Sequence, residues 1–225
     1  MLARYGVPGE REAGFDALLS ALERSDDAPS TVRERAAALG RHVADSLSGL
    51  EIEQLRAART IADVGAGAGF PGLPLALALP AARVDLLESR ARSATVIERL
   101  AQAAGAVNAH AVTTRAEQWG AAAGAAAYDV VTARALAVLA VLAEYASPLL
   151  RQGGVLIAWK GARDADEEAA GAAAAARLGL ELHSVRAVMP FPGAHRRHLH
   201  VFEKVAPTPA AFPRRAGMAR KRPLA

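Results

Sequence analysis

The chain contains no cysteine among its 225 residues. Disulfides and thiolate metal sites are therefore excluded, and a reducing cytoplasm is the expected compartment. Aromatic residues are scarce at 4%, which argues against an RNA-binding platform built on base stacking. Long apolar runs are missing as well. The longest are alanine-rich and broken by glycine or proline, so none reads as a membrane span and no membrane partner is expected. The opening residues MLARYGVPGEREAG scatter their charges and hold no apolar stretch, so they do not read as a secretory signal. What is present is 52% hydrophobic and 22% charged. That composition suits one full domain with a sizeable core plus a small accessory element.

Acid is also absent from the last twenty residues, where Arg214, Arg215, Arg220, Lys221 and Arg222 stand alone. The formal net charge is +4, so the remaining chain, with 22 cations against 23 acids, is close to neutral. The basic character belongs to a tail, residues 206–225, that also carries Pro207, Pro209, Pro213 and Pro223. Such a segment is expected to be extended and solvated and to meet a polyanion; the alternative is that Phe212 and its neighbours dock on the domain and brace the last strand.

Residues 1–54 read as a small helical region. Phe15, Leu18, Leu19 and Leu22 recur at helical spacing. Thr31 is a candidate cap for a helix over Val32–Leu39, with Glu34 at the capping-box position, and a further helical piece covers His42–Leu50. From Thr60 to about residue 205 the pattern becomes strand, helix, strand. Strands are expected over Thr60–Val64, Arg83–Leu87, His110–Thr113, Tyr128–Thr132 and Val155–Trp159, the last after a turn at Gln152–Gly154. Helices are expected over Leu73–Leu79, Arg90–Ala104, Leu136–Leu150 and Asp164–Leu178. Two late strands, Leu182–Val188 and Leu199–Lys204, follow without a helix between them. The fold class is thus α/β: a mainly parallel sheet with helices on both faces and an antiparallel edge hairpin, occupying residues 55–205.

The segment with the most chemical content is Asp63-Val-Gly-Ala-Gly-Ala-Gly-Phe-Pro-Gly72, which follows a strand and opens a helix. Glycine is needed where the backbone turns sharply or a ligand lies against it. Glu88 ends the next strand, about twenty residues on, where an acid can bond ribose hydroxyls. A nucleoside-containing ligand is indicated, and the glycines alone leave open a dinucleotide or S-adenosylmethionine. Two features favour the latter: the DxGxGxG spacing of Gly65, Gly67 and Gly69 behind Asp63, and Pro71, which removes an N–H that a pyrophosphate would use. Arg115-Ala116-Glu117 follows the third strand, where adenine would rest.

In their joint order, these pieces resemble the RsmG (GidB) family of 16S rRNA guanine-N7 methyltransferases. The resemblance runs through His42-Val-Ala-Asp-Ser46, the glycine segment, Leu86-Leu-Glu-Ser89, Arg115-Ala-Glu117, Val131-Thr-Ala-Arg-Ala135, Trp159-Lys-Gly161, Arg197-His-Leu199 and Phe212-Pro-Arg-Arg-Ala-Gly217. Departures are small: Glu88 stands where many members have Asp, and Trp159 where many have Leu. The resemblance implies a Rossmann-like class I methyltransferase fold. It also implies S-adenosyl-L-methionine as cofactor, contacted by Gly65, Phe70, Ala116, Glu117 and Arg134, with Gly67 and Glu88 added from the glycine reasoning. Every cofactor residue so named lies before Gly161, so deleting residues 207–225 is expected to leave cofactor affinity unchanged. The expected partner is 16S ribosomal RNA or the small-subunit particle, met by a monomer.

Methylation at guanine N7 needs no general base, because that nitrogen carries a free lone pair, and no catalytic dyad stands out in the chain. Arg134, Lys160, Arg196 and Arg197 are therefore assigned to phosphate or cofactor-carboxylate contacts, with Arg214 and Arg215 of the tail joining them on RNA. His195, His198 and His200 are not read as a metal site, because His195 falls off the face the other two share and no acid stands near in sequence to complete a shell. The rival readings are an NAD(P)-dependent oxidoreductase on the same fold and a non-catalytic RNA-binding module.

Overall fold

The computed structural model describes residues 1–32 and 34–224. Its centre is a seven-stranded sheet built from β1 (Thr60–Val64), β2 (Arg83–Glu88), β3 (Ala109–Thr113), β4 (Tyr128–Arg134), β5 (Leu150–Lys160), β6 (Leu180–Val188) and β7 (Arg197–Lys204), in the order β3-β2-β1-β4-β5-β7-β6. The first five strands pair in parallel, whereas β7 runs antiparallel between β5 and β6. β1 lies in the middle, and Ile61, Ala62, Asp63 and Val64 are all buried, as expected of a strand covered on both faces.

Among the described residues, ten α-helical segments surround the sheet. They are α1 (Glu12–Glu23), α2 (Arg35–Ala38), α3 (Asp45–Leu47), α4 (Glu53–Ala57), α5 (Gly72–Ala78), α6 (Ala91–Ala104), α7 (Ala116–Gly120), α8 (Leu139–Ala146), α9 (Ala165–Arg177) and α10 (Met218–Lys221). α1 buries Phe15, Leu18, Leu19 and Leu22, and these four join the core formed by Leu73 and Leu75 of α5 and Ile97 and Leu100 of α6. Each such leucine contributes about 2 kcal/mol. The N-terminal region thus shares the core of one sheet face.

The expected cap at Thr31 is not used. Glu34 is itself the cap of α2, and its carboxylate accepts from the N–H groups of Ala36 and Ala37, both at 2.8 Å. A two-oxygen acceptor satisfies two orphan donors where a hydroxyl satisfies one. Of the expected helix over Val32–Leu39, Arg33 lies outside the described residues. From Arg35 the chain stays helical to Glu51, passing through a π-helical stretch at Leu39–Ala44 and a 3-10 turn at Ser48–Glu51. The expected long helix ending at Leu150 is confined to α8, and β5 begins at Leu150 and absorbs the expected turn at Gln152–Gly154. Gly153 takes a φ of 77° and a Cβ on Gly154 would lie 2.8 Å from Asp129 O, so the pair forms an irregularity within the strand.

The largest correction concerns the tail, which is not extended and solvated. It folds over the second face of the sheet, where Ala219 and Leu224 are buried with α8. Its start is held by Lys204, a buried ammonium that donates to Ser147 Oγ, Leu178 O and Thr208 Oγ1. Arg214 Nε donates to Glu144 Oε1 at 2.7 Å, and the same guanidinium reaches Arg222 O at 2.8 Å. Arg214 is therefore engaged with the fold. The reason is charge: Glu144 sits at 1% exposure in α8 and needs a cation. Arg215, Lys221 and Arg222 are exposed.

Arg214→Ala should destabilise the protein by about 3 kcal/mol in urea unfolding, because it strands a buried carboxylate. A change within about 0.5 kcal/mol would mean that the arginine acts as a free surface cation.

Candidate active site

The residues after β1 form a tight loop. Gly65, Gly67 and Gly69 have φ of 68°, 58° and 91°, a region that strains any other side chain. Their surroundings differ. A Cβ on Gly65 would fall 2.5 Å from Leu136, and one on Gly69 the same distance from Leu73, so protein packing demands both glycines. A Cβ on Gly67 would meet nothing closer than Gly65 O at 3.9 Å. Gly67 leaves its space to the cavity it lines.

That cavity measures about 520 Å³ and lies at the C-terminal edge of β1, β2 and β4. Gly65, Gly67, Phe70, Glu88, Ala116, Glu117 and Arg134 all line it, so the seven residues named for the cofactor meet in one place. Glu88 is 4% exposed at the end of β2, where its carboxylate accepts from Gly67 N at 3.1 Å and Arg90 N at 2.9 Å. Glu117 opens α7 and accepts from Gly217 N at 2.7 Å, which ties the tail to the site. Arg220 lines the cavity too, while donating to Leu136 O. A cavity residue does therefore lie beyond Gly161, because the tail folds back.

Asp63 braces the loop from below. Its buried carboxylate accepts from Gly72 N and from Thr132 Oγ1, each at 2.9 Å, joining β1, α5 and β4. Burial pushes its pKa up to about 6, against the opposing pull of those two hydrogen bonds.

A second brace comes from the helical region. The His42 ring stacks on Phe70 with centroids 4.4 Å apart, and the Arg134 guanidinium lies over the same ring. His42 Nε2 is 3.0 Å from Val32 O, which requires Nε2 to carry the proton. Nδ1 then accepts from Arg134 Nη2 at 3.4 Å. Burial, aided by Arg134, lowers the His42 pKa to about 4, so the ring is neutral at physiological pH. Arg134 Nη1 donates to Asp45 Oδ2 at 2.9 Å and to Arg41 O at 3.2 Å.

The family model described as rRNA small subunit methyltransferase G (GidB) matches residues 30–199, which span both braces and the cavity loop. The chain belongs to this family. The ribosomal RNA small subunit methyltransferase G of Rubrobacter xylanophilus is 43% identical over 232 residues, covering 99% of this chain and 88% of its own length. That of Chloroflexus aggregans is 40% identical and covers 87% of this chain and 82% of its own. A solved structure of a predicted O-methyltransferase from Agrobacterium tumefaciens is similar with a TM-score of 0.56 at 24% identity, covering 73% of this chain and 80% of that one, a likeness of fold. Membership in the methyltransferase G family sets aside the oxidoreductase and non-catalytic readings.

Within this methyltransferase G chain the named cations are not all together. Arg134, Lys160 and Arg197 line a smaller cavity beside the first. Lys160 pairs with Glu167 at 2.6 Å, and Arg196 is exposed in the turn before β7. His195, Arg196, Arg197 and Arg41 edge a shallow depression. His198 Nδ1 is 2.8 Å from Gly161 O, and His200 Nε2 is 3.0 Å from Glu168. Among the described residues, no three His, Cys, Asp or Glu converge as metal ligands, and no helix is long and apolar enough to cross a membrane.

Sequence reasoning missed Asp45, His42, Tyr145 and Arg220. The first two had a signal, the i, i+3 spacing of His42 and Asp45 on one helical face. Tyr145 and Arg220 had none, since only folding brings α8 and α10 to the cavity.

The buried carboxylate below the loop sets a pH test. Folded Asp63 titrates near 6, above its ordinary value of 3.8. Between these values the folded chain binds the extra proton, so this group's contribution to stability falls as pH rises from about 4 to about 6 and stays low above. Asp63→Asn keeps an acceptor for Gly72 N and removes the titration. In urea unfolding its stability should rise relative to the parent protein through that window. A difference that stays flat with pH would show that Asp63 does not titrate there.

Proposed function

We propose that this chain transfers the methyl group of S-adenosyl-L-methionine to N7 of one guanine in 16S ribosomal RNA. The observation that carries the reading is Gly67, a left-handed glycine that packs against nothing and opens onto a cavity edged by Glu88. Such a cradle suits a ligand that lies flat on backbone. All five line the cavity, and in this reading Glu88 would take the ribose hydroxyls, Ala116 and Glu117 the adenine, and Gly65 and Phe70 the amino-acid end.

When bound, S-adenosylmethionine supplies an electrophilic methyl on a sulfonium. Guanine N7 presents a lone pair and no proton at neutral pH, so the chain's task is alignment, with reacting atoms about 3 Å apart. The site is consistent with that task. His42 is neutral with both nitrogens engaged, and Asp63 is occupied beneath the loop, so neither is poised as a base. Charge moves from the sulfonium toward the purine during transfer, and an unbalanced cation beside the base would oppose it. Asp45 balances Arg134, and Glu167 balances Lys160. Arg196 and Arg215 are left for phosphates, and Arg197, half-exposed beside Asp45, can reach one as well. The partner is 16S ribosomal RNA, free or within the small-subunit particle, and the protein acts as a cytoplasmic monomer.

Incubation of 16S RNA with methyl-labelled S-adenosylmethionine should give labelled 7-methylguanine at one mapped position. Label on another base, or no label, would overturn the reading. Gly67→Val should abolish cofactor binding in calorimetry while the protein still folds, with a melting temperature lowered by the strained φ of 58°, and unchanged affinity would remove the loop from the site. Glu88→Ala should weaken cofactor binding by roughly ten- to a hundredfold, the usual effect of losing a hydrogen bond to a charged group. If RNA affinity fell instead, Glu88 would lie on the RNA side.

A further inference from the structure

The smaller cavity holds a feature that cofactor binding does not use. It measures about 170 Å³ and is walled by Asp45, Arg134, Leu142, Trp159, Lys160 and Arg197. Arg134 and Ala135 line both cavities, so the two adjoin at the end of β4. Asp45 is 3% exposed, and its Oδ1 has no hydrogen-bond partner among the described residues. Arg197 Nε stands 3.9 Å from that oxygen, close enough for an ion pair but beyond hydrogen-bond reach. Its other oxygen is taken by Arg134 at 2.9 Å. A buried carboxylate oxygen left empty is costly unless a ligand supplies the donor.

The walls say what ligand fits. Trp159 is fixed by its indole Nε1, which donates to Asp45 O at 2.8 Å, and is one of the residues that line the cavity. Leu142 adds a second apolar wall, and Lys160 and Arg197 stand at its polar side. A flat, partly apolar group with hydrogen-bond donors on one edge matches this arrangement. Guanine has such an edge, with N1–H and the N2 amino group side by side. Adenine offers an unprotonated N1 at the same place and would meet the carboxylate lone pair to lone pair.

We infer that Asp45 reads the target base, its free Oδ1 accepting from the N1–H and N2–H edge of guanine. This rests on guanine N7 as the methylated atom. The same contact aids the transfer. As the N7–methyl bond forms and the sulfonium gives up its charge, positive charge spreads over the purine and N1–H becomes a stronger donor. The hydrogen bond to Asp45 therefore strengthens toward the transition state, which is the condition for catalysis by differential binding. One residue accounts for choosing guanine and for offsetting the cations around it.

Inosine lacks the N2 amino group and otherwise keeps guanine's shape. The test places guanosine or inosine by ligation at the mapped position of 16S RNA and measures kcat/KM for methyl transfer. With the parent protein, inosine should react about tenfold or more slowly, as one hydrogen bond to a charged acceptor is lost. Asp45→Asn keeps an oxygen for Arg134 and turns a donor amide toward the cavity. It should fold with a lowered melting temperature, since Arg134 loses its charge partner, lose at least about tenfold on guanosine with saturating cofactor, and no longer distinguish the two RNAs beyond about twofold, a ratio that a general loss of stability or cofactor affinity does not move. Equal rates of the parent protein on both RNAs would overturn Asp45 as the reader while leaving N7 methylation intact. Discrimination that persists in Asp45→Asn would do the same. Absence of any transfer to the guanosine RNA would overturn the N7 reading itself.

Discussion

Arg134 carries its guanidinium at a position almost closed to water, with only 13% of the side chain exposed, and much of the site is arranged around that charge. Burial pulls its pKa below the usual arginine range, and Asp45 opposes the shift. An isolated charge in such a place would be very costly. The partner is supplied from the far side of the sequence, 89 residues away, by the helical region before the sheet. The pairing joins β4 to α3, sets the tautomer of His42, and lays a cation over the ring of Phe70 in the glycine loop. The N-terminal region is thereby part of the site, beyond its role in covering apolar surface.

Two buried carboxylates divide the work at the strand ends. Asp63 holds the loop from within the core and points at Gly72 N and Thr132, and Glu88 holds Gly67 N from the cavity side. The loop is gripped between them, so its left-handed backbone is kept in shape before any ligand arrives. A preorganised cradle reduces the ordering that binding must bring about. The burial that raises the Asp63 pKa also keeps it from serving as a solvent-facing base, in keeping with a reaction that needs none.

The two ends of the chain close opposite faces of the sheet. Phe15, Leu18 and Leu19 cover one, and Ala219, Leu224 and the Arg214–Glu144 pair cover the other. Both ends also reach the cavity, through His42 and Arg220. Loosening either end would therefore remove part of the cavity wall.

Much of this was legible in the amino-acid sequence. Strand and helix alternation from Thr60 follows from periodicity, because a buried parallel strand must be apolar on both faces and a helix on one. The glycine loop was legible for the same local reason: glycine adopts φ of 58° to 91° without the strain other residues meet there, so Gly65, Gly67 and Gly69 mark the turn in the sequence itself. Glu88 followed from its place at a strand end. The tail misled because prolines and five cations describe a segment's own preferences, and those favour extension. Glu144 decided otherwise, and its burial in α8 is a property of the assembled fold. The pairing of Asp45 with Arg134 and the empty Oδ1 beside it were likewise beyond local reading. Sequence determined which residues turn, which alternate and which line the strand ends, since those depend on near neighbours and backbone angles. Tertiary structure alone decided which charges are buried and with whom, since desolvation and ion pairing depend on groups brought together across the whole length of the chain.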